Sequence, residues 1–180
     1  MRLRHLIALP LLIAPTACGV EVSSSEEVGD PIEDTTPDPA AINETVAALH
    51  EHTAAFMERE EHTEPRVKVR HLLVAFRGSG VPGVRRTRAK AEELAAQLYQ
   101  RAVKGEDFAA LVAEYSNDSP EGVYTMLLNG PSNPPATFGR FEMVPAFGNA
   151  GWRLQPGELG VVEHHPVDSP YGWHLVMRLE

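Results

Sequence analysis

The sequence predicts an α+β protein in which helices pack on a small antiparallel sheet. Apolar residues recur at helical spacing in some stretches and alternate with polar residues in others, so both element types are indicated. Taken along the chain, these stretches give one extra N-terminal helix followed by the order β-α-α-β-α-β-β. The 180 residues, 43% of them hydrophobic, suffice for one core-forming domain with extensions.

The chain begins with a pattern typical of an export signal. Arg2 and Arg4 precede an apolar run over residues 6–14, which is too short to span a membrane. The only cysteine, Cys18, follows the small residues at 16 and 17, so residues 1–17 are predicted as a signal peptide. This arrangement resembles the bacterial lipoprotein signal, in which the cysteine receives lipid, although Pro15 stands where a Leu-like residue is usual. The other interpretation is an ordinary signal with an incidental cysteine.

Residues 18–40 are predicted to be the lipidated cysteine followed by a disordered tether. Residues 19–40 carry seven acidic side chains and no Lys or Arg, and they lack the aromatic residues that a core needs. From residue 64 onward, 13 basic side chains balance 13 acidic ones, so the net charge of −9 arises before that point. A neutral domain behind an acidic tether argues against nucleic acid as a partner.

Residues 41–63 are predicted to hold an amphipathic helix. Asp38 and Pro39 suit the N-cap and first helical positions, and the helix is expected to end near residue 61. Its apolar stripe consists of Ile42, Val46, Leu49, Thr53 and Phe56. The stripe is expected to pack on the following domain; a dimer contact or a polypeptide-binding surface is the other interpretation.

The main predicted domain covers residues 64–180. Residues 66–76 alternate like a strand, and a glycine-rich loop with Arg77, Arg85 and Arg86 follows. Thr87 and Asp107 can cap two further helices, with Gly105 ending the first of them. Residues 117–135 are expected to form a loop. A short strand at 138–141, a helix at 145–150, a turn at 155–157 and strands at 160–164 and 172–179 complete the pattern.

Two histidines on predicted strands are the first candidates for chemistry. His71 lies on the apolar face of the first strand and His174 on that of the last, while Asp118 follows a helix. A histidine in such a position is more often a hydrogen-bonded core residue than a catalyst, and sequence spacing does not show whether the three meet. The pairs and sets of other histidines lack cysteines or closely spaced carboxylates, so no metal site is expected.

Five segments, taken in order, resemble the parvulin family of peptidyl-prolyl isomerases. They are Arg70-His71-Leu72-Leu73-Val74, Lys104-Gly105-Glu106-Asp107-Phe108-Ala109-Ala110-Leu111, Tyr115-Ser116-Asn117-Asp118-Ser119, Met143-Val144-Pro145-Ala146-Phe147 and Ser169-Pro170-Tyr171-Gly172-Trp173-His174-Leu175-Val176. Each segment alone is a weak signal, but the series covers residues 66–180 in register.

The resemblance implies a parvulin-like (FKBP-like) fold with a four-stranded antiparallel sheet and a site on its concave face. It implies catalytic roles for four residues: His71, Asp118, His174 and Ser169, the last as the hydroxyl that bonds to the histidine of the final strand. It further implies a proline-binding wall made of Met143, Phe147 and Phe138, and it implies no cofactor. The tract at 119–137 departs from the family pattern.

The implied activity is rotation about Xaa-Pro bonds in unfolded or exported polypeptides at the cell envelope. The lipid would hold the protein to a membrane, and the expected location is the periplasmic side of the outer membrane. The alternative is a parvulin-fold chaperone that binds extended polypeptides without turnover, in which case the tract at 119–137 would plug the pocket.

Some eukaryotic parvulins use basic residues after the first strand to bind phosphate. Here Arg77, Arg85 and Arg86 are instead expected to form a solvated flank.

Overall fold

The computed structural model describes residues 38–180; the predicted signal peptide, Cys18 and most of the predicted tether lie outside this range. The described residues contain four α-helices: α1 (Pro39–Met57), α2 (Arg88–Val103), α3 (Phe108–Tyr115) and α4 (Pro145–Ala150). The same part of the chain contains five strands: β1 (Arg66–Ala75), β2 (Val123–Leu127), β3 (Phe138–Gly139), β4 (Leu159–Val162) and β5 (Gly172–Arg178). No helix within residues 38–180 is long and apolar enough to cross a membrane.

The helix starts follow the predicted caps. The side chains of Asp38, Thr87 and Asp107 accept hydrogen bonds from backbone N–H groups of the first turns of α1, α2 and α3. Helix α1 ends at Met57, four residues before the predicted end, because no buried side chain follows Phe56 along it. After β3, residues 140–142 form a 3₁₀ turn where the prediction extended the strand.

The five strands form one sheet in the order β3-β2-β1-β5-β4. The α+β class is confirmed, but the sheet has five strands rather than four, and it is mixed because β2 and β3 run parallel. Strand β2 lies within the tract predicted to be a loop. Only Met126 of its five residues is fully buried, and glycines and prolines flank it on both sides, so its sequence lacks the alternation that marks a strand.

The two faces of the sheet carry separate apolar clusters. Alternate residues of β1 point to opposite faces. Leu72 and Val74 pack with α2 and α3 on one face, whereas Val67 and Val69 pack with α4 and Trp152 on the other. Because both faces are covered from His71 onward, the second half of β1 is buried throughout, and the polar–apolar alternation survives only in its first half.

Helix α1 packs against α2 and β4, as the first interpretation of its apolar stripe predicts. Leu49, Thr53 and Phe56 are buried there. A Cβ at Gly160 would lie 2.7 Å from the Phe56 ring, so a glycine is required for β4 to approach the helix this closely. Helix α1 belongs to the same compact unit as the rest of the described residues.

The segment after α1 is tied to the sheet by two buried guanidinium groups. Arg140 contacts Glu61, and Arg178 contacts Glu64 and the backbone carbonyl of Leu154, 2.7 Å away. Both arginines are nearly inaccessible, so each needs these acceptors to offset the loss of water. These contacts join residues 58–65 to the remainder of the domain.

Candidate active site

His71 and His174 are brought together by the pairing of β1 with β5. His174 lies opposite Leu73 in the antiparallel register, which places it diagonally across from His71 on the same face of the sheet. The two imidazoles are almost fully buried, and His71 Nε2 lies 2.8 Å from His174 Nδ1. The pair therefore lies on two interior strands of the sheet.

Asp118 reaches the pair from the turn that follows α3. Asn117 holds this turn to β1 by two bonds: its N–H donates to the Leu73 carbonyl at 2.8 Å, and its Oδ1 accepts from Ala75 N–H at 2.9 Å. Asp118 Oδ2 consequently lies 3.3 Å from His71 Nδ1. The contact is long and poorly aligned as a hydrogen bond, since His71 Nδ1 has no partner of good geometry.

A tyrosine that the sequence did not indicate completes the cluster. The Tyr124 hydroxyl of β2 donates to Asp118 Oδ2 at 2.6 Å. Sequence reasoning missed Tyr124 because it lies in the tract predicted to be a loop. The signal available was the run Val123-Tyr124-Thr125-Met126-Leu127, in which several residues favour strands.

The pKa values of the cluster keep the carboxyl charged and the imidazoles neutral. Burial lowers the pKa of His71 against the opposing effect of Asp118, and it lowers the pKa of His174 well below the ordinary value of 6.5. The His71 ring, and then the Tyr124 hydroxyl, lower the pKa of Asp118 to about 2, against the effect of partial burial. Burial and the Asp118 carboxylate raise the pKa of Tyr124.

An apolar pocket of about 190 Å³ opens beside these groups. An apolar cavity of about 150 Å³ can hold benzene, so the space suffices for a five-membered pyrrolidine ring. Phe147 of α4 stacks on His71 with ring centroids 4.2 Å apart, and Tyr124 meets Phe147 edge-on at 5.4 Å. The pocket is lined by His71, Leu73, Asp118, Tyr124, Met143, Val144, Phe147, Tyr171 and His174.

Five of the seven residues expected in the site other than Cys18 line this pocket, and the other two have contacts that differ from the expected ones. Phe138 does not line the pocket; it packs against the outer side of Tyr124, with ring centroids 5.3 Å apart. Ser169 is fully buried, and its hydroxyl donates to the Gly172 carbonyl at 2.6 Å rather than to an imidazole. It therefore shapes the turn that leads into β5.

Gly122, just before β2, lies so close to the backbone of β1 at His71 that a glycine is required there. The Gly122 carbonyl accepts from His71 N–H at 2.7 Å, which anchors the backbone of the histidine. Gly122 has a φ of 60°, and a Cβ there would lie 2.3 Å from the His71 carbonyl oxygen. Only glycine fits at such a distance.

The basic loop after β1 is partly committed to structure. Arg86 Nη1 donates to Asn117 Oδ1 at 2.6 Å and to the Ala75 carbonyl at 3.0 Å, so it supports the turn that carries Asp118. Arg77 and Arg85 are exposed. Within residues 38–180, no group of three or more His, Cys, Asp or Glu side chains is arranged to hold a metal ion.

The family match and the curated relatives of this chain point to the same protein family. The family described as "Rotamase: PPIC-type PPIASE domain" matches residues 71–180. A relative named foldase protein PrsA, from Caldanaerobacter subterraneus subsp. tengcongensis, is 29% identical over 140 residues, which are 76% of this chain and 36% of the relative. A relative named chaperone SurA, from Chromohalobacter salexigens, is 36% identical over 109 residues, 61% of this chain and 21% of the relative.

Solved structures agree on the fold. The peptidyl-prolyl isomerase ESS1 from Candida albicans superposes with a TM-score of 0.50 at 20% identity, covering 77% of this chain and 76% of that one. The structure titled TbPIN1 gives a TM-score of 0.51 at 21% identity, covering 66% of this chain and all of that one. The chain spans well under half of the curated relatives it matches. The family match covers residues 71–180, more than half of this chain, so the chain belongs to the PPIC-type peptidyl-prolyl isomerase (parvulin-type rotamase) domain family.

Proposed function

We propose that this chain is a peptidyl-prolyl cis-trans isomerase that acts on unfolded, exported polypeptides. The observation that carries the proposal is the apolar pocket bounded by Phe147 and Met143 on one side and by the His71–His174–Asp118 cluster on the other. Family membership supports the reaction class. The names foldase and chaperone, carried by its relatives, support polypeptides as the substrates.

The chemistry needs no bond to break. Rotation about an Xaa-Pro amide has a barrier of about 20 kcal/mol because the twisted amide loses its resonance. The planar amide is the more polar of the two states, so transfer from water into an apolar pocket favours the twisted one. The aromatic ring of Phe147 and the side chain of Met143 would hold the proline ring while the preceding carbonyl turns.

Asp118 supplies the electrostatic part of the proposed mechanism. The carbonyl oxygen of a planar amide carries more negative charge than that of a twisted amide. A carboxylate fixed at the pocket therefore disfavours the planar state more than the twisted one. His71 lies beside this carboxylate and His174 lies behind His71, and we assign no covalent role to Asp118.

The direct test is exchange of cis and trans resonances of a short Xaa-Pro peptide, measured by NMR without a coupling protease. The chain should accelerate the exchange at catalytic concentrations, and Phe147→Ala should slow it because the grip on the ring is lost. No acceleration by correctly folded wild-type chain would contradict the proposal.

A polypeptide-binding role without turnover is the second candidate. The feature favouring it is the exposed apolar surface near the site: Tyr171 at the pocket is 42% exposed, and Phe141, two residues before Met143, is 78% exposed. Suppression of the aggregation of an unfolded protein, retained by a chain that fails to catalyse exchange, would favour this function. The pocket is open in the structure, and of the tract at 119–137 only Tyr124 lines it, which supports catalysis.

We propose further that residues 1–17 are removed as a signal peptide and that Cys18 is lipidated, so that residues 18–40 tether the domain to the cell envelope, on the periplasmic side of the outer membrane. The sequence pattern around Cys18 supports this. Mass spectrometry of the mature N-terminus would find the acyl chains, and Cys18→Ser would release the protein from the membrane fraction. An unmodified cysteine in the mature protein would contradict it.

A further inference from the structure

Asp118 faces the pocket from a turn, not from a helix or strand. Its side chain is 40% exposed, and its contact with His71 is long and poorly aligned. The carboxylate therefore needs another contact to remain in one orientation. The 2.6 Å bond from the Tyr124 hydroxyl is the shortest that Asp118 makes.

Tyr124 itself is held on three sides. Its backbone pairs with Val69 of β1, its ring meets Phe147 edge-on, and Phe138 packs against it from outside at 5.3 Å. The hydroxyl is thus presented by a strand to a carboxylate carried by a turn. The Tyr124 hydroxyl, carried by the sheet, thus fixes the position of the Asp118 carboxylate, which the sheet does not carry.

The Tyr124 hydroxyl donates to the Asp118 carboxylate, and this direction determines which nitrogen atoms of the two histidines carry protons. An ionised carboxylate only accepts hydrogen bonds, so the group of His71 that faces it must be Nδ1–H. His71 Nε2 is then the acceptor for His174 Nδ1–H, 2.8 Å away. His174 Nε2, which is buried and has no partner among the described residues, carries no proton.

We propose that Tyr124 is the positioning residue of the site: its hydroxyl holds Asp118 in place and, through the carboxylate, selects the tautomers of His71 and His174. This inference rests on the proposed isomerase function for its effect on rate, but its structural part is measurable without activity. The groups that face Asp118 are His71 from β1, Tyr124 from β2 and the backbone N–H of Ser119, with His174 of β5 behind His71.

Because burial keeps His71 neutral, the charge attraction between its ring and Asp118 is absent near pH 7, and the Tyr124 hydroxyl is the donor that lies closest to the carboxylate. Tyr124→Phe removes this donor while keeping the ring. The pKa of Asp118 should then rise by about one unit. Side-chain carboxyl ¹³C resonances measured against pH report this directly.

Long-range ¹H–¹⁵N spectra give the second readout. In the wild-type chain both histidines should show the Nδ1–H form. In Tyr124→Phe the carboxylate is free to turn away, so His71 and His174 should show a mixture with the Nε2–H form. The matched control is Tyr99→Phe, because the Tyr99 hydroxyl also makes a 2.6 Å bond, to His52, but at the α1–α2 contact. It should leave both readouts unchanged.

A double-mutant cycle separates positioning from a general structural effect. Tyr124→Phe should lower kcat/KM for Xaa-Pro exchange several-fold in the wild-type background and have no further effect in Asp118→Ala. An equal loss in both backgrounds, or an unchanged titration of Asp118, would overturn the proposal. If the wild-type chain fails to catalyse exchange, the proposed function falls while the titration still decides the role of Tyr124.

Should Tyr124→Phe not fold, the reciprocal measurement uses Asp118→Asn. Loss of the negative charge should lower the pKa of Tyr124, seen at its Cζ resonance in chain labelled at tyrosine, because the amide that replaces the carboxylate no longer disfavours the phenolate by its charge. An unchanged Cζ titration would show that the bond does not exist in solution and would overturn the proposal.

Discussion

At the residue scale, the charge of Asp118 is the property that the proposed mechanism uses. The cluster keeps its pKa at about 2, so the side chain is ionised at every pH at which the protein would work. The two histidines differ from it in being neutral and buried. His71 lies beside the carboxylate and His174 behind His71, and both line the pocket together with Phe147 and Met143.

Asp118→Asn keeps the shape of this side chain and removes its charge. We expect kcat/KM for Xaa-Pro exchange to fall about tenfold, since one charge-assisted contact in the site is worth roughly 1.5–3 kcal/mol. NMR exchange on a proline peptide measures this, and thermal melting checks the fold. Asp168→Asn is the matched control, because Asp168 also contacts a histidine, His165 at 3.1 Å, but outside the pocket. Equal rates for wild-type and Asp118→Asn chains would show that the charge has no part in the reaction.

At the element scale, α1 behaves as part of the domain although the family match begins only at residue 71. Phe56 is buried against Gly160 and contacts the cluster that contains Trp152 and Leu154. The helix covers one end of the sheet on the side of β4. It therefore contributes to the stability of the site without touching the pocket.

Phe56→Ala tests this role. We expect a loss of about 3–5 kcal/mol in the free energy of unfolding, because a large buried ring leaves a cavity that β4 is not able to fill. Urea unfolding followed by tryptophan fluorescence measures it. Met57→Ala is the neighbouring control: Met57 is 41% exposed, so its truncation should change stability by less than about 0.5 kcal/mol. Similar losses in the two variants would contradict the packing described for α1.

At the scale of the whole molecule, burial of two neutral histidines makes stability depend on pH. Their folded-state pKa values lie below the ordinary 6.5, so the unfolded chain binds protons that the folded chain does not. This contribution is fully present above the unfolded pKa and is lost as pH falls below it. His52 and His164 have pKa values lowered mainly by burial and act in the same direction.

Lowering the pH from 7.5 to 5.5 should therefore reduce the free energy of unfolding by about 2 kcal/mol. Asp118 adds nothing to this change, because its own contribution is lost only as the pH falls through about 2. Urea titrations at the two pH values measure the difference. His174→Asn should make the fall shallower, since one of the two buried imidazoles is gone. Equal stability at both values would mean that the histidines are accessible to protons in the folded state.

The helices and β1 were predictable because their signals are local. A cap such as Thr87 or Asp107 bonds within its own first turn, so a short stretch of sequence contains both partners. Strand β2 was missed because its stability comes from pairing with β1, more than fifty residues earlier in the chain, and not from its own pattern. The same miss concealed Tyr124, and with it the 2.6 Å bond from β2 to Asp118.

By itself, the sequence determined the α+β class, the helix starts and the identity of most groups around the pocket, because residue type, spacing and motif order are properties of the chain alone. Only the tertiary structure decided which of those groups meet. The contact of His71 with His174 depends on strand register, and the reach of Asp118 depends on the Asn117 bonds to β1. Register and side-chain contact are set by packing between distant segments, and no local pattern encodes such a distance.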